Sequence, residues 1–353
     1  MFILELILDK FSNFGHEVEK IDFKICFQMV LKVPHLFPKF QKPAITYIIS
    51  CINNQLNIFI MKKVILSISA MLFVGFAAVA QNTSAVGQTG NGNNGIVGQN
   101  GSSNSSKITQ VSPGGAAPAS DGNKSEVYQG IQPALYAAVN NKAEVDQNGK
   151  KNTAFISQSN KNNQAYQTQK GNENDATIWQ DQIVGPASAL NGGDKAWQTQ
   201  TGNKNKATID QGTTGNEYPT PGGVFTNAQL TALGTVSIPF APNGSNEATQ
   251  TQNGDYNLAY ASQGGTGNKS WQTQTSPSGT TDANKNISRH FQYGDGNESK
   301  TVQSGIRNTE NTLQIGNMNT SDVKQTNAAG AGNQQVGFSF GNSNHITVTQ
   351  TGL

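Results

Sequence analysis

Residues 141–184 read NKAEVDQNGKK, NTAFISQSNKN, NQAYQTQKGNE and NDATIWQDQIV when broken every eleven residues. Asn opens each segment, Ala follows two places later and Gln stands six places later. The pattern N-x-[AS]-x-x-x-Q-x-G-x-x can be followed from positions 82, 93, 104, 123, 141, 152, 163, 174, 194, 205, 246, 257, 268, 286, 297, 308, 319, 333 and 344, which makes nineteen units. The first position is Asn everywhere except Asp194, and the seventh is Gln everywhere except Ser339. Self-similarity at a fixed short period marks a repeat architecture, in which each unit buries its face only by stacking on its neighbours.

If each unit is a strand, positions one, three, five and seven share a face, because side chains alternate. That places an inward column of Asn at position one: Asn141, Asn152, Asn163, Asn174, Asn205, Asn257, Asn268, Asn297, Asn308, Asn319 and Asn344. A column of Gln follows at position seven: Gln147, Gln158, Gln169, Gln180, Gln200, Gln211, Gln252, Gln263, Gln274, Gln303, Gln314, Gln325 and Gln350. Position nine is the expected turn, occupied by Gly90, Gly101, Gly149, Gly171, Gly202, Gly254, Gly265, Gly294, Gly305, Gly316, Gly341 and Gly352. Glycine takes positive φ without a Cβ penalty. Asn160, which also tolerates that region, stands at one exception; the other six units (Ser112, Ile131, Gln182, Thr213, Ser276 and Asn327) are those followed by inserted residues. The glycine requirement thus lapses where a longer loop replaces the tight turn.

A second period shows what stacks on what. Position five carries Gln167, Gln198, Gln250 and Gln272 in units 7, 9, 11 and 13, and Ile178, Ile209 and Ala261 in the units between. Like therefore lies over like every second unit. The expected fold is an all-β solenoid with 22 residues and two strands per rung, odd units forming one sheet and even units the other. Nineteen strands at a spacing of ~4.8 Å make a rod on the order of 45 Å long.

The composition fits a thin polar core. Charged residues are 13% of the 353-residue chain and hydrophobic residues 35%, against roughly 25% and 45–50% in ordinary globular domains. From residue 81 onward there are 37 Asn and 29 Gln. Stacked amides can donate and accept along the axis, satisfying groups that would otherwise cost about 1–3 kcal/mol each when buried. The same stretch holds 16 Lys and Arg against 17 Asp and Glu, which is no electrostatic footprint for nucleic acid.

The first eighty residues are of another kind. MKKVILSISAMLFVGFAAVA, residues 61–80, has a basic start, an apolar middle and a small-residue end, and reads as a secretory signal peptide cleaved between Ala80 and Gln81. Residues 1–60 hold both cysteines, Cys26 and Cys51, and are read as a non-native upstream extension, with Met61 the true start. The solenoid region, 81–353, then contains no cysteine and carries loop insertions, the largest about residues 216–245.

NTAFISQSNKNNQAYQTQKGNENDA, residues 152–176, resembles the curlin repeat of curli subunits, secreted bacterial proteins that form extracellular amyloid fibres. The resemblance spans residues 82–352. It implies a chain that passes the periplasm, leaves through an outer-membrane curli secretion pore, meets a nucleator subunit and self-associates into fibres on the cell surface. It further implies a role in biofilm matrix, adhesion and aggregation. The chain departs from the usual subunit in having about twice the repeats, six insertions and no separate secretion-targeting segment before the first repeat. Strand edges independent of the resemblance point the same way: NHITVTQ (344–350), NTSAVGQ (82–88) and NNGIVGQ (93–99) carry no Asp, Glu, Lys or Arg and no proline.

Two other function classes stay open at this point. A monomeric surface adhesin would bind carbohydrate or host protein through an outward aromatic stripe, Tyr166, Trp197 and Trp271. An enzyme on the same scaffold needs clustered acids and bases, and no nucleophile motif, phosphate loop or metal spacing occurs, so neither enzymatic activity nor a cofactor is expected. His290 is read as a packed substitute for Gln, and inward Glu310 as the mark of a weak, kinked rung.

Overall fold

The computed structural model describes residues 81–113, 121–131, 138–180, 192–212 and 244–352, all within one compact unit, Ala78–Leu353. The upstream extension, the signal segment with Ala80 and nearly all of the 216–245 insertion lie outside the described residues, whose first member is Gln81. The strands in the N-terminal part are β1 (Thr83–Thr89), β2 (Asn94–Gln99), β3 (Gly101–Ser102), β4 (Ser105–Val111), β5 (Lys124–Gln129), β6 (Ala138–Val139), β7 (Lys142–Lys150) and β8 (Thr153–Gln158). The middle contains β9 (Asn160–Lys161), β10 (Gln164–Asn172), β11 (Asp175–Gln180), β12 (Lys195–Thr201), β13 (Lys206–Gln211), β14 (Glu247–Asn253) and β15 (Leu258–Gly264). The C-terminal part has β16 (Lys269–Thr275), β17 (Ile287–Tyr293), β18 (Glu298–Gly305), β19 (Thr309–Ile315), β20 (Thr320–Asn327), β21 (Gln334–Phe340) and β22 (His345–Thr351).

These strands form the expected β-solenoid. The odd units make a ten-stranded parallel sheet, β1-β4-β7-β10-β12-β14-β16-β18-β20-β22, and the even units a nine-stranded one, β2-β5-β8-β11-β13-β15-β17-β19-β21. Register follows the repeat: Ala165 pairs with Ala143 and Ala196, and Gln169 with Gln147 and Gln200. The insertions leave it undisturbed, since β12 and β14, separated by the largest of them, still pair Gln198 with Gln250 and Gln200 with Gln252. A third ladder was not foreseen. β3, β6 and β9 pair at the corner that leads from even to odd units, and single bridges Lys161–Gly192, Gly192–Gly244 and Gly244–Thr266 continue it.

The core is narrow because the residues that fill it are small or flat. Alanines at position three bring the sheets together, and Ile108, Val127, Val145, Ile156, Ile178, Ile209 and Ala261 at position five form one apolar seam, all at most 2% exposed. Buried aliphatic side chains of this size stabilise by about 1.5–3 kcal/mol each. A second apolar cluster lies elsewhere. Tyr260, Phe291, Tyr293, Leu313 and Ile315 occupy outward positions of the even sheet, yet are 0–9% exposed.

The turns use two left-handed residues rather than one. Position nine has φ between +87° and +133° at its glycines: +133° at Gly149, +114° at Gly171, +112° at Gly202 and +87° at Gly341. These angles lie outside the small left-handed well open to other residues. A Cβ on Gly171 would also stand 2.0 Å from the carbonyl oxygen of Gly202 in the next rung. Position eleven sits in the left-handed well proper, at 54–60° for Lys151, Glu173, Lys204, Tyr256, Arg307 and Met318, and so admits many residue types. Asn160, the non-glycine at a tight position nine, has moved to φ 62°. Gly352 departs from the expectation: it keeps the position-nine register but is not among the positive-φ residues. Replacing Gly171 by Ala is therefore expected to lower the unfolding midpoint steeply, because both φ and the Gly202 carbonyl oppose the methyl. Glu173→Gly at position eleven should change stability by less than about 1 kcal/mol. Thermal unfolding followed by far-UV circular dichroism distinguishes the two.

Candidate functional site

The chemistry of this fold lies in its repeated amides and in the strand edges where the repetition stops. Each position-seven Gln that has a Gln on both sides is held three ways. Gln169 accepts from Nε2 of Gln147 at 2.8 Å, donates its own Nε2 to Oε1 of Gln200 at 2.9 Å and donates again to the Thr153 carbonyl of the facing sheet at 2.9 Å. The same arrangement runs from Gln88 through Gln110, Gln147, Gln169, Gln200, Gln252, Gln274, Gln303 and Gln325 to Gln350. In the even sheet it runs from Gln99 through Gln129, Gln158, Gln180, Gln211, Gln263 and Gln292 to Gln314, where Ser339 interrupts it. Gln therefore binds rung to rung and sheet to sheet at once.

Asn at position one fastens the turns. Asn174 donates its backbone N–H and its Nδ2 to Oδ1 of Asn152, each at 3.1 Å, and donates Nδ2 to the Gly202 carbonyl at 2.8 Å. The pattern recurs where Asn205 binds Asn174 and Gly254, Asn297 binds Asn268 and Gly316, and Asn319 binds Asn297 and Gly341. Asp194 keeps the acceptor role of Asn, its Oδ1 taking the backbone N–H of Asn246 at 2.8 Å, but as a carboxylate it has no counterpart of the Nδ2 donations that Asn makes. The two ladders point in opposite directions. Gln donates toward the C-terminal rungs and Asn toward the N-terminal ones.

The position-five amides Gln167, Gln198, Gln250 and Gln272 form a third, shorter ladder at 2.8–2.9 Å per step. Its first member meets Val145 in the preceding rung, so Oε1 of Gln167 has no hydrogen-bond partner. At its other end the ladder gives way to a buried polar cluster. Nε2 of Gln272 donates to Oγ of Ser288, Ser288 donates to Oε2 of Glu310 at 2.8 Å, and Nε2 of His290 lies 3.4 Å from the same oxygen. His290 also contacts Ser270 through Nδ1 at 2.8 Å and Thr301 through Nε2 at 2.7 Å. His290 and Glu310 are both fully buried. This corrects the expected kink: β19 pairs along its whole length with β17 and β21, and Ser288 and His290 hold Oε2 of Glu310, although its buried Oε1 has no hydrogen-bond partner. Both residues fall at inward positions of even units one rung apart, a relation that register alone could have revealed.

On the outer face of the odd sheet, the Tyr166 and Trp197 rings stack at 5.9 Å with an interplanar angle of 4°, so they face one another along the rod. Lys142 lies 5.2 Å over Tyr166 and 2.9 Å from Glu144; these partners, Glu144 first, raise its pKa. Charges at position two alternate in sign up the sheet, Lys195–Glu247–Lys269–Glu298. At one loop, Lys150 and then Lys151, at 3.3 and 3.4 Å, hold the Asp121 carboxyl below its ordinary range. Among the described residues no three His, Cys, Asp or Glu side chains gather as a metal site, and no helix is long and apolar enough to cross a membrane.

The ends of the ladders are the remaining feature. At one end of the described solenoid, β1 and β2 have strand neighbours on one side only among the described residues, and Gln88 is the first member of its column, donating to Gln110. At the other, β21 and β22 are edge strands, with Gln350 and Asn344 the last members of their columns. One end thus offers the Gln acceptor and the other the Gln donor; for Asn the roles are reversed.

No protein-family model, curated protein or solved structure matches this chain.

Two substitutions probe the interior. Gln303→Leu removes the partner of both Gln274 and Gln325 and should cost about 2–4 kcal/mol. Ser299→Ala removes a buried hydroxyl that has no partner and should leave stability unchanged or slightly raised. In the polar cluster, His290→Ala leaves Glu310 buried without its basic partner, an expected loss of about 3–5 kcal/mol. The double variant His290→Gln/Glu310→Gln, which restores amides, should recover most of it. Chemical denaturation of the four variants measures these differences.

Proposed function

We propose that this chain is a secreted structural subunit of curli-like extracellular fibres, growing by strand-edge stacking of one copy on the next. The observation that carries this reading is the self-complementarity of the rung. Every rung presents toward each side the donors of one amide column and the acceptors of the other, which are the groups that its neighbour complements. The edge strands β1 and β22 present the same groups to solvent. An exposed, uncharged, β-prone edge templates further strands. The proposed setting is the bacterial cell surface, reached through the periplasm and an outer-membrane secretion pore. There a nucleator subunit would start growth, and the fibres would support biofilm matrix, adhesion and aggregation. No catalytic activity and no nucleic-acid partner belong to this reading.

The alternative, a monomeric adhesin using the Tyr166, Trp197 and Trp271 stripe, has less support. The stacked rings of Tyr166 and Trp197 turn their faces toward each other, which suits ladder packing better than a platform for sugars.

The purified chain from Gln81 should form thioflavin-positive fibres with a cross-β strand repeat of roughly 4.7–4.8 Å. Val86→Lys combined with Val348→Lys places charge on both edge strands and should slow growth at least tenfold while the chain stays folded. A wild-type chain that remains monomeric at high concentration overturns the proposal.

A further inference from the structure

The two sheets of the described solenoid are unequal, with ten strands in one and nine in the other. Each unit is half a rung, so nineteen units leave the rod half a rung out of phase between its beginning and its end. The first and last strands, β1 and β22, both lie in the ten-stranded sheet, each half a rung beyond its neighbour in the other sheet, β2 and β21. Both ends are therefore steps. The step uncovers side chains that should face the core. Val86 of β1 holds the inward fifth position and is 46% exposed, whereas Ile108 and Val145, next in its column, are at most 2% exposed.

We infer that copies of this chain join head to tail with their sheets exchanged, the ten-stranded sheet of one running into the nine-stranded sheet of the next. This orientation rests on the fibre reading above and adds to it how one copy is turned on another. Ladder polarity fixes head to tail, since Gln donates toward the C-terminal rungs and Asn toward the N-terminal ones. The steps fix the turn. With the ten-stranded sheets in line, β1 of one copy lies on β22 of the other, and β2 and β21 face each other across a gap one strand high. Their backbone groups stay unpaired there, and Val86 still looks into the gap. With the incoming copy turned half a revolution about the rod axis, β1 lands on β21 and β2 on β22, and no strand is missing.

The register of the repeat then agrees across the joint. Gln99 follows Gln350 and Asn93 follows Asn344, so both amide columns continue with the polarity that they keep inside one copy. In the other sheet Val86 lies over Gly337, which has no side chain of its own. Gln88 lies over Ser339, whose buried hydroxyl has no hydrogen-bond partner within the copy. The turns agree as well. Gly90 falls on Gly341, at φ +90° and +87°, whereas in line it would fall on Gly352, which is not among the positive-φ residues. The outer aromatic residues of the ten-stranded sheet consequently change sides of the fibre at every joint.

Cysteine cross-linking reads the joint, because residues 81–353 contain no cysteine of their own. Ala85, Ile96, Val336 and Thr347 are exposed outward residues of the four end strands. The two cysteines of each pair below lie at opposite ends of one copy, so every link is between copies. Fibres of the chain from Gln81 with Ala85→Cys/Val336→Cys, treated with a short thiol-to-thiol reagent, should give long covalent ladders. So should fibres with Ile96→Cys/Thr347→Cys, an independent pair on the other sheet. Ala85→Cys/Thr347→Cys is the pair that in-line joining brings together. It should link about tenfold less, because the exchanged joint sets these residues on opposite outer faces of sheets packed ~10 Å apart. If fibres form and Ala85→Cys/Thr347→Cys links as well as Ala85→Cys/Val336→Cys or better, or if neither exchanged pair links, the sheet exchange is wrong and the fibre reading stands. If the unsubstituted chain forms no fibres, the fibre reading itself falls and the joint with it.

Discussion

The structure depends on a property of the carboxamide: it donates and accepts through one planar group, so identical side chains can bond in file. A carboxylate in the same place only accepts and an ammonium only donates, and neither can repeat at every rung. The inward Gln and Asn columns exploit this in complementary ways. Gln is long enough to cross the thin interior and reach a backbone carbonyl of the facing sheet, as Gln169 does with Thr153. Asn is short and reaches the neighbouring turn instead, as Asn174 does with Gly202. One amide holds the sheets together and the other closes their ends. The apolar seam between them can therefore be slight, a line of Ile, Val and Ala.

This division of labour explains where the fold tolerates variety. Register is fixed within each strand by its own inward residues, so loops can lengthen at six turns without shifting any pairing, as β12 and β14 demonstrate across the largest insertion. Asp194 stands in for Asn by keeping the acceptor half of its role, Oδ1 taking the backbone N–H of Asn246. His290 and Glu310 occur as a pair, with Oε2 of Glu310 held by Ser288 and His290 while its buried Oε1 has no hydrogen-bond partner. A single titratable residue buried among amides would have no such compensation. Outside, where like charges on successive rungs would sit one strand apart, position two alternates Lys and Glu.

The two-sheet plan, the inward columns and the glycine turns were legible in the sequence because each rests on a residue type with few substitutes. Only Asn and Gln ladder this way, and only glycine accepts φ near +114° beneath a neighbouring carbonyl, as at Gly171. Position eleven was illegible for the opposite reason. Its left-handed well is shallow enough for Lys151, Glu173, Tyr256 and Met318 alike, so the sequence carries no mark of it. The short corner ladder of β3, β6 and β9 is a backbone pairing that makes no demand on side chains. Alternation correctly assigned Phe291 and Leu313 to the outside of the sheet, but burial there depends on what lies above, which a pattern local to the strand does not contain. The meeting of His290 and Glu310 was within reach of the register and was missed because each residue was weighed alone.

From β15 onward the two outer faces of the rod are unlike, the even one carrying the buried Tyr260, Phe291, Tyr293, Leu313 and Ile315, while the rung that joins them is two units long. A gene encoding such a rod can gain or lose a whole rung by unequal recombination with every downstream side chain keeping its face. Gain or loss of a single eleven-residue unit would instead exchange the faces of everything that follows, setting the apolar strands β15 to β21 beneath the polar flank. Copy number in this lineage should therefore drift in pairs of units, and unpaired changes should survive only near an end, where little remains to be reversed.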